Sequence, residues 1–184
     1  MDIGLFVNIT SRAWAMPILS SLHSGVAGRQ APLLAATGAG RTAFAQSLDH
    51  LIELGLLERN PGHGHPLRPE YRLTPAGIDA AAMASRITRV APDETDAVLL
   101  RRAWTLPVLS VSPAPSSFTE IKTSLPPITD RALSQTLKQL QGHNWLMRQV
   151  DTNAHPPRAK YHAVNAGLQI NKAVSLFSPA GRLL

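Results

Sequence analysis

The clearest alternation of apolar and polar positions runs from Thr129 to His143. Leu133, Leu137 and Leu140 recur at i, i+4 and i+7, the spacing that puts three side chains on one face of an α-helix. Arg131, Ser134, Gln135, Lys138 and Gln141 fall on the opposite face. With Thr129 or Asp130 as N-cap, the spacing predicts an amphipathic helix ending near His143. Upstream, Leu99 to Leu109 is apolar-rich and predicts a helix that Pro107 ends or kinks. Ser117 and Glu120 fit the S/T-x-x-E capping box of a further helix, which Pro126 and Pro127 stop. Downstream, Trp145 to Val150 and Arg158 to Val164 read as two strands around a turn-rich segment. A last helix follows from Asn165. The predicted order is helix, helix, helix, hairpin, helix.

The same pattern occurs earlier in the chain. Arg12 to Ser20 reads RAWAMPILS and Arg102 to Ser110 reads RAWTLPVLS, a step of 90 residues. The step persists in H-P-x-R-x-x-Y, at His65 to Tyr71 and His155 to Tyr161, and in Ala76-Gly77 and Ala166-Gly167. Phe44, Leu48 and Leu51 match Leu133, Leu137 and Leu140 at a step of 89, so one single-residue gap restores the register. The earlier hairpin is Leu56 to Arg59 and Glu70 to Leu73, followed by Thr74 as N-cap and Pro75 in the first helical turn. Val90 to Asp96 reads as a linker, which divides the chain into residues 1–92 and 93–184. Each part is near the lower size limit for an independent core, so the two are expected to pack together.

These elements predict a mainly α fold with small β-hairpin wings: two tandem winged helix-turn-helix modules forming a pseudo-dimer. In that layout the second of two short helices offers polar side chains to the DNA major groove. The hairpin then reaches a phosphate or the minor groove.

Composition narrows the classes. Hydrophobic residues make up 44% of the 184-residue chain, an ordinary share for a folded protein. The absence of cysteine excludes disulfides, thiolate metal sites and thiol redox sensing. Eighteen Lys and Arg against twelve Asp and Glu give a formal charge of +6, which favours an anionic partner. Residues 1–92 hold 8 basic and 6 acidic residues and residues 93–184 hold 10 and 6, so the second part is the more basic. No apolar run approaches the roughly 20 residues that span a bilayer, and no signal peptide is evident. The expected location is the cytoplasm, with the nucleoid. No nucleophile elbow, P-loop, paired catalytic carboxylates or H-E-x-x-H occurs, so neither an enzyme nor a cofactor is expected.

The run ITDRALSQTLKQLQGHNWLMRQ, the wings PLRPEYRLTPAG (Pro66 to Gly77) and PPRAKY, the segment SFTEI (Ser117 to Ile121) and RAWTLPVL resemble HxlR-type winged-helix transcription regulators. The family pattern has a G-K-W-x-x-x-I-L helix, an R-F-x-E-L helix, a recognition helix I-S-x-K-x-L-T-x-x-L and a wing P-P-R-V-E-Y-S-L-T-x-x-G. The resemblance covers most of the chain, twice over. It implies sequence-specific binding of double-stranded DNA and transcription regulation. Family members are usually one such module that homodimerises, whereas this chain resembles two in tandem. It therefore implies a monomeric pseudo-dimer or a homodimer. Many members carry an N-terminal cysteine that is absent here, so thiol sensing is not implied.

The expected DNA-facing residues are Thr129, Arg131, Ser134, Gln135 and Lys138 in the second copy. Arg41, Thr42 and Gln46 are their counterparts in the first, where Asp49 would repel phosphate. Arg68, Arg158 and Lys160 belong to the wings, where an arginine can enter a narrow minor groove. A solvated helix face and a surface salt bridge between Arg68 and Glu70 are the alternatives. His63, His65 and His155 read as loop-tip histidines rather than metal ligands, because no carboxylate or cysteine cluster completes a set. Trp14 and Trp104 read as core anchors. A tandem winged-helix scaffold for protein partners is the rival function, and a small-molecule effector remains unspecified.

Overall fold

A computed structural model of the chain describes residues 2–60, 69–90, 93–152 and 157–176. Its first part runs α1 (Ile3–Thr10), α2 (Ala15–His23), α3 (Gln30–Thr37), α4 (Arg41–Glu53), β1 (Leu57–Asn60), β2 (Glu70–Leu73) and α5 (Pro75–Val90). The second runs α6 (Glu94–Leu100), α7 (Thr105–Ser110), β3 (Ser116–Ser117), α8 (Phe118–Ser124), α9 (Asp130–Gly142), β4 (Leu146–Asp151), β5 (Arg158–Ala163) and α10 (Asn165–Ser175). The chain is mainly helical with two small antiparallel sheets, an arrangement consistent with two winged-helix units.

Two sequence expectations need correction. The helix expected over Leu99 to Leu109 is two helices separated by a turn at Arg101–Trp104, and α1 and α2 are split likewise. Pro107 neither ends nor kinks α7. It is the third residue after the N-cap Trp104, as Pro17 is after Trp14 in α2. An N–H at that position has no partner inside the helix, so its loss costs little. The first bonds simply begin one residue later, from Ile18 and Val108 to the carbonyls of Trp14 and Trp104, both at 3.0 Å. The linker is also shorter than expected: α5 extends to Val90, and Glu94 and Asp96 form the first turn of α6.

The turns between α4 and β1 and between α9 and β4 follow one design. Gly55 and Asn144 adopt left-handed φ values of 68° and 56°. Glycine has no Cβ to clash there, and asparagine is among the residues that tolerate this region best. The next N–H groups, of Leu56 and Trp145, then return to the carbonyls of Leu51 and Leu140 at 3.0 and 2.9 Å. The carbonyls of Leu56 and Trp145 in turn accept from Thr74 N and Val164 N. A Cβ on Gly77 or Gly167 would collide with those same two carbonyls. The repeated Ala-Gly pair is thus a backbone contact between wing and following helix.

The sheets differ by one strand. In the first, β1 and β2 pair with Arg59 opposite Tyr71. In the second, β4 and β5 pair with Arg148 opposite Tyr161, and the short β3 adds Ser117 opposite Lys160. An isolated bridge between Arg29 and Glu70 stands where that third strand would be.

The apolar core is continuous across the chain. Phe6 and Ile9 of α1 are fully buried, and α1 packs against α7 of the second part as well as against α2. Helix α5 packs on α2 and also on α10, which itself packs on α7. Trp14 and Trp104 pack on this core but stay partly exposed, because they sit at helix mouths on its rim; Trp145 is the buried tryptophan.

Gly77→Ala and Gly167→Ala are each expected to lower unfolding free energy by about 1–3 kcal/mol, the usual cost of overpacking. Urea titration of the two variants checks this. A loss below about 0.5 kcal/mol in either would show that the contact is not tight.

Candidate nucleic-acid interface

Helices α8 and α9 form the better-defined site. The capping box is present: Ser117 N donates to Glu120 Oε2 at 2.6 Å, and Glu120 N donates to Ser117 Oγ at 3.3 Å. At the turn between the helices, Lys122 Nζ lies 2.6 Å from Asp130 Oδ1. Thr129 is the N-cap of α9, and its hydroxyl accepts from Ala132 N at 3.2 Å. That oxygen is therefore committed to shaping the helix.

Leu133, Thr136, Leu137 and Leu140 face the core. Arg131, Ser134, Gln135 and Lys138 are exposed on the other side. Arg131 and Lys138 make no ion pair among the described residues. They are free to meet an external anion without first breaking an internal contact. Gln141 is only half-exposed and donates to its own helix at Leu137 O.

Helix α4 has the same length as α9 and buries Phe44, Ser47, Leu48 and Leu51. Its exposed residues include Arg41, Thr42, Gln46 and Asp49. The matching register puts Thr42 at the place of Arg131 and Asp49 at the place of Lys138. This face keeps one cation, Arg41, at its first residue, and gains an anion. His50 near its far end lies 2.8 Å from Asn8 O, which ties α4 to α1.

Arg158 is exposed at the start of β5. Lys160 lies 3.0 Å from Asp151 Oδ2 across the hairpin, so its charge is partly engaged. Arg68, His63, His65 and His155 lie outside the described residues. Glu70 pairs with Arg72, at 2.7 Å. Two exposed wing arginines were not foreseen, Arg59 on β1 and Arg148 on β4. Each stands opposite the wing tyrosine, and neither makes an ion pair among the described residues. Their 89-residue spacing, the same as between the leucine stripes, was the signal available.

The wing and the helix pair of the second part share an electrostatic neighbourhood. The Glu120 carboxyl is held below the usual carboxylate range, first by the backbone N–H of Ser117, then by its hydroxyl. Desolvation opposes this, and the charges of Lys160 and Arg158 add smaller lowering contributions. Among the described residues, no cluster of His, Asp and Glu could hold a metal ion, and no helix is long and apolar enough to cross a membrane.

Residues 99–181 match the HxlR-like helix-turn-helix family. Over 81 residues the chain is 36% identical to an uncharacterized HTH-type transcriptional regulator of Mycobacterium tuberculosis (strain CDC 1551 / Oshkosh). It is 35% identical over 81 residues to a counterpart in Mycobacterium bovis. Each match covers 44% of this chain and 51% of the relative, so the chain spans about half the length of the curated relatives it matches. A solved MarR-family transcriptional regulator from Porphyromonas gingivalis W83 aligns with TM-score 0.36 and 19% identity, over 48% of this chain and 78% of that one.

Two outcomes are expected at α8 and α9. Thr129→Ala should cost about 1 kcal/mol of stability in urea titration, as loss of an N-cap does; an unchanged midpoint would contradict the capping role. Because the folded Glu120 value is depressed, its contribution is complete above the unfolded glutamate value of about 4.3 and is lost as pH falls through the folded value. The stability gap between the wild type and Glu120→Gln should therefore shrink on acidification. A gap that stays flat would contradict it.

Proposed function

We propose that this chain is a sequence-specific transcription regulator that binds duplex DNA as an intramolecular pseudo-dimer. Residues 1–92 and 93–184 would be its two winged helix-turn-helix modules. Helix α9 would enter the major groove with Arg131, Ser134, Gln135 and Lys138 toward base edges and phosphates. Arg158 and Arg148 would meet the minor groove or a neighbouring phosphate, with Lys160 supporting them. Its place of work would be the nucleoid in the cytoplasm. The observation that carries this reading is the uncommitted donor face of α9 within the part that matches an HxlR-like helix-turn-helix.

The first module has a lesser part. Arg41, Thr42, Gln46 and the wing residues Arg59 and Arg68 can hold phosphates, but Asp49 weakens the middle of the face. This favours an asymmetric site, read closely on one side and loosely on the other. It is also the observation behind the second reading, in which the first module docks a protein and the chain is a scaffold.

Titration with a selected duplex separates these. Arg131→Ala should cost about 1–3 kcal/mol of binding, and Arg41→Ala less. Affinity should fall steeply with salt, by a slope of about −0.9 per phosphate neutralised. Equal losses from the two variants would contradict the asymmetry, and a salt-independent affinity would support the scaffold.

A further inference from the structure

We infer that the seam between the two parts of the chain is a binding site for a small organic carboxylate with an apolar or aromatic body. A cavity of about 270 Å³ opens there, walled by α2, α3 and α5 on one side and by α6 and α7 on the other. That volume lies just below the roughly 300–1,000 Å³ of common ligand pockets, which suits a small molecule and excludes a dinucleotide.

The lining is mostly apolar, with Ile87, Leu100 and Leu106 among its walls. Its cation is Arg101. The guanidinium lies over the Trp14 ring, 4.7 Å from the ring centroid, and makes no ion pair among the described residues. Stacking occupies the flat face of a guanidinium and leaves the N–H groups on its edge, which match a carboxylate bidentately. Thr37 donates its hydroxyl to carbonyls of its own helix, so it offers an incoming group only lone pairs. Thr88 donates likewise to Ala84 O, so Arg101 is the charged donor of the cavity, with the Ser20 and Ser21 hydroxyls beside it in the lining.

The fold does not require a cation at this place. A step of 90 residues puts Ser11 where Arg101 stands, and Ser11 spends its hydroxyl on Asn8 O at 2.7 Å. The arginine belongs to one side of the pseudo-symmetric pair, so one ligand per chain is expected. Because α3 precedes the recognition helix α4 of one part while α6 belongs to the other, an occupant would touch both.

Ligand capture here needs no DNA, so its failure and the failure of the DNA reading are separable. Calorimetric titration of the full chain with 1-naphthoate, against the neutral 1-naphthamide, tests it. The expected result is one site of about millimolar affinity or better for the acid. The amide should bind more weakly by about tenfold, as loss of a charge-assisted contact predicts. Arg101→Gln should remove that preference, and Arg101→Lys should restore only part of it, with circular dichroism confirming that both variants fold. Equal binding of acid and amide, an acid preference that survives Arg101→Gln, or no binding of either compound would overturn the assignment. If Arg101→Gln does not fold, a Ser20→Trp substitution that fills the cavity must abolish acid binding; retained binding overturns it equally.

Discussion

The shared apolar core between the two parts of the chain is the constraint on which everything else rests. The chain builds that core by sending α1 across to α7 and by packing α5 against α10. Phe6 and Ile9, fully buried on a helix of only eight residues, fix that crossing. Each apolar side chain of this kind contributes about 1.5–3 kcal/mol, enough to hold a short helix that would not persist by itself. Helices α4 and α9 are then carried on one continuous body.

Much of this was legible in the sequence because it depends on local rules. The leucine stripe fixed the buried face of α9, the S-x-x-E run announced its box, and the 90-residue step located both wings. Gly77 and Gly167 matched in sequence because the same carbonyl contact excludes a side chain in both places. What was not legible depends on partners distant in the chain. The break at Arg101–Trp104 was half legible: Pro107 signalled it, because its ring clashes with the carbonyl four residues back, but its place one turn upstream, with Pro107 in the first turn of α7, needed the structure. Likewise the strand pairing that puts Arg59 and Arg148 opposite the tyrosines appears only once register is known. The engagement of Lys160 by Asp151 also needed the hairpin to close.

The two parts differ in charge where α4 and α9 face outward. Their turns, glycine contacts and buried stripes coincide, whereas the polar faces of α4 and α9 differ in charge at matching positions. Packing constrains the inner face of each helix through close contact, and solvent leaves the outer face free to change. An outer face rich in uncommitted donors, as on α9, is then informative, because stability alone does not demand it. The same logic applies at the seam, where Ser11 stands 90 residues before Arg101.

The most direct test of the central claim is selection from fragmented genomic DNA on the immobilised chain at near-physiological salt, followed by sequencing of what is retained. A fused pair with unequal recognition helices predicts enrichment of one shared site, made of a strongly specified half and a weakly specified half about one helical turn apart. Retention without sequence preference, or no retention, would contradict it.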